Sequence, residues 1–184
     1  MLRFVVSNNQ RVKREQIITA AKDVLATQGL AACTARAVAD ASPLTKSAIH
    51  YYFNDIDEIV DEAMAVHVDS MLANLRRVAD AVAPAERLWR VVEAYLATFA
   101  ELPHAAFLWF EYWVAASRRD SLGAAAVMLD RVHALLVEVL TVPEADELAH
   151  EILSWLLGTI VQQRIRPRPA EVLRRELARI TNAS

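Results

Sequence analysis

Over the first sixty residues apolar side chains recur at steps of three and four, and the pattern breaks at short intervals. Ile17, Ile18, Ala21, Val24 and Leu25 mark one face of a helix over about 12–27, and Gly29 ends it as a C-terminal cap in the left-handed conformation would. Thr34 stands at the N-cap of a second, short helix through Ala35, Ala37, Val38, Ala39 and Ala41. Cys33 and Val38 then take the two positions of a hydrophobic staple, which assigns the cysteine to packing. Ser42, Pro43 and Leu44 stop that helix, because a proline disfavours helical geometry in the residue before it. Thr45 caps a third brief helix through Lys46, Ser47, Ala48, Ile49, His50 and Tyr51, and Asn54 and Asp55 interrupt it. Asp55 with Glu58 three residues later caps a fourth helix. Its apolar track Val60, Met64, His67, Met71, Leu75, Val78, Val82 runs for about seven turns and joins the two parts of the chain.

The rest is also helical in pattern. Pro84 opens a helix to about Glu101, and Pro103 separates it from another over 104–119. Two long helices follow over 121–141 and 144–166, divided by Pro143, and a short arginine-rich one covers 169–180. The first of the long pair keeps Leu122, Ala125, Leu129, Val132, Leu136 and Val139 in step. The second is apolar nearly all round between Ile152 and Val161, so it must be covered on more than one side. With the small residues Gly123, Ala124, Ala125 and Ala126 on its neighbour, this predicts a four-helix homodimer interface of obligate size, about 2,000 Å² or more. Strand alternation, internal repeats and low-complexity tracts do not occur.

Composition narrows the chemistry. The 184 residues include three widely spaced glycines (Gly29, Gly123, Gly158), too few and too scattered to cradle a phosphate, so nucleotide-binding fingerprints are excluded. A lone cysteine forms no internal disulfide, no secretory leader is legible, and the uncharged run 152–163 falls short of the roughly 18 apolar residues a membrane span needs. The expected location is the cytoplasm. Net charge is −3, yet residues 1–54 carry seven basic and three acidic groups, a net +4, against −7 for the remainder. A small cationic module joined to an acidic one suits a phosphate-facing head.

Three short helices, the second and third split by a tight turn, are the arrangement that offers the third to the major groove of DNA. The stretch 14–59 resembles the N-terminal domain of the TetR family of transcriptional regulators. It carries an isoleucine, then Ala20 and Ala21, Gly29, Thr34, Val38 and Ala39, Thr45 and Lys46, and Tyr52 and Phe53, all at the family's spacing. The resemblance implies an all-α homodimer with a helix-turn-helix DNA-binding domain over 1–55 and a helical effector-binding and dimerisation domain over 56–184. It places Thr45, Lys46, Ser47 and Ala48 at the start of the recognition helix, and His50 and Tyr52 where ring donors reach phosphate. Arg36 and Tyr51 complete the candidate DNA-binding set. Hydroxyl, amine and imidazole groups donate to phosphate oxygens, and a helix N-terminus adds partial positive charge. Three positions depart from the family's pattern: Pro43 sits at its turn glycine, His50 replaces a tyrosine, and Ile56 replaces a lysine that contacts phosphate, which should lower affinity for the DNA backbone.

The expected function is that of a repressor released from a near-palindromic double-stranded operator by a small apolar or amphipathic effector, with no cofactor, no membrane partner and no catalytic residues. The effector pocket is expected among Met64, His67, Trp89, Phe107, Phe110 and Trp113, in the region richest in aromatics, and the fourth helix is the expected lever between pocket and head. The alternative is a helical ligand-binding protein or metal-dependent enzyme whose head no longer binds DNA. For that, Glu101-x-x-His104 and Glu147-x-x-His150 would have to supply a di-iron site. Pro103 breaks the first motif, and the second lies in an opening turn, where acids are favoured without a metal.

Overall fold

A computed structural model describes residues 8–101, 105–119 and 122–183, and the described residues form helices and loops without a strand. The α-helices are α1 (Asn8–Gln28), α2 (Ala35–Asp40), α3 (Lys46–Tyr52), α4 (Ile56–Asp80), α5 (Pro84–Glu101), α6 (Ala105–Arg118), α7 (Leu122–Val139), α8 (Ala145–Ile165) and α9 (Ala170–Ala183). The fold is all-α. Two compact units divide the chain, Met1–Val68 and Asp69–Ser184, with the boundary inside α4.

In the first unit α1 buries Ile17, Ile18, Ala20, Ala21, Val24 and Leu25 and packs on α2 and α3. α1 begins at Asn8, ahead of the expected start, although its buried stripe begins only at Ile17 and the turns before it are polar. Gly29 closes it by donating its N–H to the Leu25 carbonyl at 3.1 Å. Its φ of 83° is the positive value expected, but ψ is 176°, so the residue takes the mirror-extended conformation and not the left-handed helical one. That region belongs to glycine, and it turns the chain into the short 3₁₀ segment Leu30–Ala32. Both staple residues are buried, Val38 completely. Burial pushes the Cys33 thiol up to about 11, which keeps it protonated and unreactive at neutral pH.

The opening of α4 contributes Ile59, Val60, Ala63, Met64 and Val68 to buried positions. Farther along, the buried residues are Leu72, Leu75 and Ala79, while His67, Met71 and Val78 of the expected track sit at its edge, half-buried. The stripe has drifted by about one position, as a 3.6-residue helix does over this length.

In the second unit α7 and α8 pack on each other along their length, and α5 touches α6, α7, α8 and α9. Met128 and Leu135 join Ala125, Val132, Leu136 and Val139 in the core, whereas Leu122 is half-exposed and Leu129 lies at the margin. On α8 the buried side carries Ile152, Leu153, Leu156, Thr159 and Ile160, and the outward side shows Ser154 and Gly158. Arg168 donates to Glu176 at 2.5 Å, and the same carboxylate accepts from the Trp155 indole at 3.2 Å. Leu173 and Leu177 seat α9, and Arg174 bonds Glu86 of α5 at 2.8 and 2.9 Å. No helix among the described residues is long and apolar enough to cross a membrane.

Candidate functional site

The helix-turn-helix is built from two capped short helices. A six- or seven-residue helix is unstable alone, so its ends must be satisfied locally and its inner face buried. At α2, the Ala37 N–H donates to Thr34 Oγ1 at 3.1 Å, and at α3 the Ala48 N–H donates to Thr45 Oγ1 at 3.2 Å. Between them the turn is held by Ser42: its N–H donates to the Ala39 carbonyl at 3.1 Å, and its hydroxyl accepts from the Leu44 N–H at 3.2 Å. The serine hydroxyl thus braces the turn at Ser42–Leu44 without a left-handed residue at Pro43, which is accommodated at an exposed position. Ile49, 1% exposed, and Phe53, 3% exposed, anchor the inner side of α3.

With Ile49 inward, Lys46, Ser47, His50 and Tyr51 share the exposed face, spaced i, i+1, i+4, i+5, and Tyr51 is 73% exposed. Thr45 is exposed at the cap, while Ala48 and Tyr52 are half-buried. The Tyr51 and Tyr52 rings meet edge to face at 5.0 Å, which restrains the outer tyrosine. Arg36 projects from α2 with its side chain 86% exposed, 3.9 Å from Asp40, a separation at the limit of an ion pair. Lys46 has no ion-pair partner among the described residues. The face therefore offers an ammonium, hydroxyls, an imidazole and the Lys46 and Ser47 N–H groups that the Thr45 cap leaves over, a set of donors suited to phosphate oxygens and base edges.

The start of α4 is a variant capping box. The Glu58 N–H donates to Asp55 Oδ1 at 2.8 Å, and the Glu58 carboxylate accepts from the Asn54 N–H at 3.0 Å and the Asn54 amide at 3.1 Å. Arg14 of α1 reaches the same carboxylate at 3.3 Å and also bonds Glu62 and the Tyr52 carbonyl. Sequence reasoning counted Arg14 as one charge among seven; its partners lie 38 to 48 residues away, beyond any local spacing rule.

Of the residues proposed for an effector pocket, Met64 and His67 belong to the first unit and Trp89, Phe107, Phe110 and Trp113 to the second. Met64 is fully buried. Burial, then the charge of Lys22, holds the His67 imidazole below its usual pKa and favours the neutral ring. In the second unit Trp113 packs on Trp109 at 4.9 Å and on Phe110 at 5.6 Å. Trp89 lies under the Arg174 guanidinium at 5.7 Å, and Phe107 is partly exposed. Trp113 lines an apolar hollow of about 580 Å³ between α6 and α7, together with Val114, Ser117, Arg118, Leu122, Ala125, Ala126 and Leu129. Trp89, Phe107 and Phe110 do not line it. The positions 113, 114, 117, 118 and 122, 125, 126, 129 follow helical steps on two consecutive helices, a signal that the emphasis on rings obscured. Trp109 is buried with its indole N–H lacking an acceptor among the described residues.

A second hollow, of about 660 Å³ and more polar than the first, lies between α7 and α8 and includes His133, Glu147 and His150. His133 Nε2 lies 3.1 Å from the Asp146 carbonyl, and among the described residues no three His, Cys, Asp or Glu side chains are grouped to hold a metal. Residues 102–104, and with them the His104 end of Glu101-x-x-His104, lie outside the described residues.

Comparison with known proteins bears on the family and the fold. Residues 17–63 match the family described as bacterial regulatory proteins, tetR family. The HTH-type transcriptional repressor KstR2 of Mycobacterium tuberculosis is 28% identical over 100 residues, covering 54% of this chain and 48% of that protein. The chain thus spans about half the length of the curated relatives it matches. A crystal structure of a transcriptional regulator from Rhodococcus sp. Rha1 superposes with a TM-score of 0.72 at 25% identity, covering 92% of this chain and 94% of that one. A TetR transcription regulator from Haloarcula marismortui ATCC 43049 gives a TM-score of 0.74 at 18% identity, covering 94% and 98%, and shares the fold.

Proposed function

For a chain whose residues 17–63 match the TetR family of bacterial regulatory proteins, we propose the function of a cytoplasmic DNA-binding repressor that leaves its operator when a small molecule binds. The observation that carries this reading is the α3 face: Lys46, Ser47, His50 and Tyr51 exposed together on a capped helix whose opposite side is locked by Ile49 and Phe53. Solvation alone accounts for a lysine, a serine and a histidine on that side, but it does not call for a tyrosine ring 73% exposed beside them. Residues 1–55 supply DNA binding, and residues 56–184 supply effector binding and dimerisation.

The dimer forms through the outward sides of α7 and α8, where Gly123, Ala126 and Gly158 allow close approach and Val127, 51% exposed, awaits cover. Two heads related by two-fold symmetry require a near-palindromic site with half-sites roughly 34 to 36 Å apart, or a multiple of that. The effector is a small apolar or amphipathic molecule, since the second unit combines an aromatic cluster, an apolar hollow and a buried indole N–H that finds no acceptor among the described residues. It acts through α4, the helix common to both units, by favouring one arrangement of the heads over the other, with a coupling of order 1 to 3 kcal/mol.

Selection of bound fragments from genomic DNA with the purified chain tests the reading. A single near-palindromic sequence is the expected product. Fragments enriched without any common sequence would refute it. Titration of candidate metabolites against tryptophan fluorescence, followed by operator binding with each ligand present, tests the effector step.

A further inference from the structure

Arg14 stands on α1, three residues ahead of the matched segment 17–63, and its guanidinium spans the junction between recognition helix and α4. One nitrogen donates to the carbonyl of Tyr52, the last residue of α3, at 2.5 Å. The other donates to Glu58 at 3.3 Å and to Glu62, carboxylates one turn apart on α4. The guanidinium carbon lies 4.0 Å from the centre of the Phe53 ring. Glu58 in turn holds Asn54 through two hydrogen bonds, so the end of α3, the link and the start of α4 form one network centred on a residue of α1.

The carbonyls of the last turn of a helix have no partner within it, and α3 ends where its outermost reading residues, His50 and Tyr51, sit. Fixing the Tyr52 carbonyl fixes the direction in which that turn leaves the domain. The arrangement needs arginine. A planar fork of donors can serve a carbonyl, two carboxylates and a ring face together, whereas a lysine ammonium is a single point. The Arg14 pairs are also more sheltered than the Arg11–Glu15 pair on the same helix: the Arg14 side chain is 32% exposed and that of Arg11 63%.

We infer that Arg14 is a positioning residue for the DNA-reading helix, setting the pose of α3 against the operator without contacting DNA. The inference rests on α3 being that helix. The test uses the full chain and the sequence it selects from genomic DNA, with Arg14→Lys, Arg14→Gln and, as control, Arg11→Gln. Affinity for the selected site and for unrelated DNA is measured at a temperature where melting curves show each variant folded.

Both Arg14 variants should bind the selected site about tenfold or more weakly, the scale of one lost base-reading contact. Binding to unrelated DNA should change far less, so the ratio of specific to non-specific affinity falls, and Arg11→Gln should match the parent. The ratio is decisive because partial unfolding lowers both modes together. Arg14→Lys with the parental ratio, or both affinities lowered in step, would overturn the inference, and Arg14→Lys decides alone if Arg14→Gln does not fold. A parent chain that selects no sequence fails at the earlier step and overturns the DNA reading and this inference together; a parent that selects a site which Arg14→Lys binds equally well overturns this inference alone.

Discussion

Lys46→Ala removes a charge that no carboxylate among the described residues neutralises, at the first position of α3 and on its exposed face. If each Lys46 meets one phosphate, each head releases about one counterion on binding, and the slope of log K against log salt changes by about 0.9 per head. Two heads on one operator change it by about 1.8. Over the fourfold range from about 50 to 200 mM salt, the parent should then lose affinity about 12-fold more steeply than the variant. Helix propensity does not confound the result, because alanine is the better helix former and Thr45 keeps its cap on Ala48. Fluorescence anisotropy with a labelled operator across four or five salt concentrations gives both slopes. Parallel lines for parent and variant would refute the placement of Lys46 on phosphate, even if the affinities differed at every point. A change near 0.9 in a dimer would place one of the two lysines off the backbone.

Three further outcomes follow from particular side chains. Thr45→Ala should destabilise the protein by about 1 kcal/mol in urea unfolding by leaving the Ala48 N–H without its cap, and Thr45→Ser should restore most of that. His67 has a lowered pKa in the folded chain, so below its usual value near 6.5 the unfolded state binds more protons and stability falls with falling pH; His67→Gln should flatten that fall between about pH 7 and 5 in thermal melts. Gly158→Glu should leave helix content intact, since an added Cβ there meets nothing within 4 Å, yet shift sedimentation from dimer to monomer if α8 packs on a partner.

Most of the fold was legible because it is carried by short-range rules. The caps at Thr34 and Thr45, the breaks at Ser42–Leu44 and Asn54–Asp55, and the stripe on α1 depend on residues within four positions of each other. The face of α3 followed once Ile49 was placed inward. What escaped the sequence is long-range. Arg14 finds partners on two other elements, and the drift of the buried stripe along α4 depends on which neighbours it meets. In the aromatic region large rings drew attention away from small residues: Ala125, Ala126 and Ser117 leave the space that Trp113 borders, whereas Phe107 and Trp89 fill other surfaces.

The charge of the head takes a different meaning once its ion pairs are known. Net +4 over residues 1–54 suggests a general attraction to phosphate, but Arg14 is committed to Glu58 and Glu62, and Arg11 to Glu15. Both acidic partners of Arg14 lie beyond residue 54, so the head is less cationic than the segment count implies. On the helix-turn-helix itself, Arg36 and Lys46 are the cations that face outward, and Ile56 supplies none where α4 begins. If binding leans on Arg36 and Lys46, with Lys13 and Lys22 of α1 as the further cations of the head that form no ion pair among the described residues, more of its free energy must come from hydroxyl, imidazole and backbone N–H donors, which release no counterions. Such donors act only when placed to within fractions of an ångström, whereas a charge acts over the Debye length. A sparsely charged reading surface therefore depends more on a fixed pose of α3 than a strongly basic one does, and this is the physical reason for a guanidinium to be spent on clamping the Tyr52 carbonyl and not on DNA.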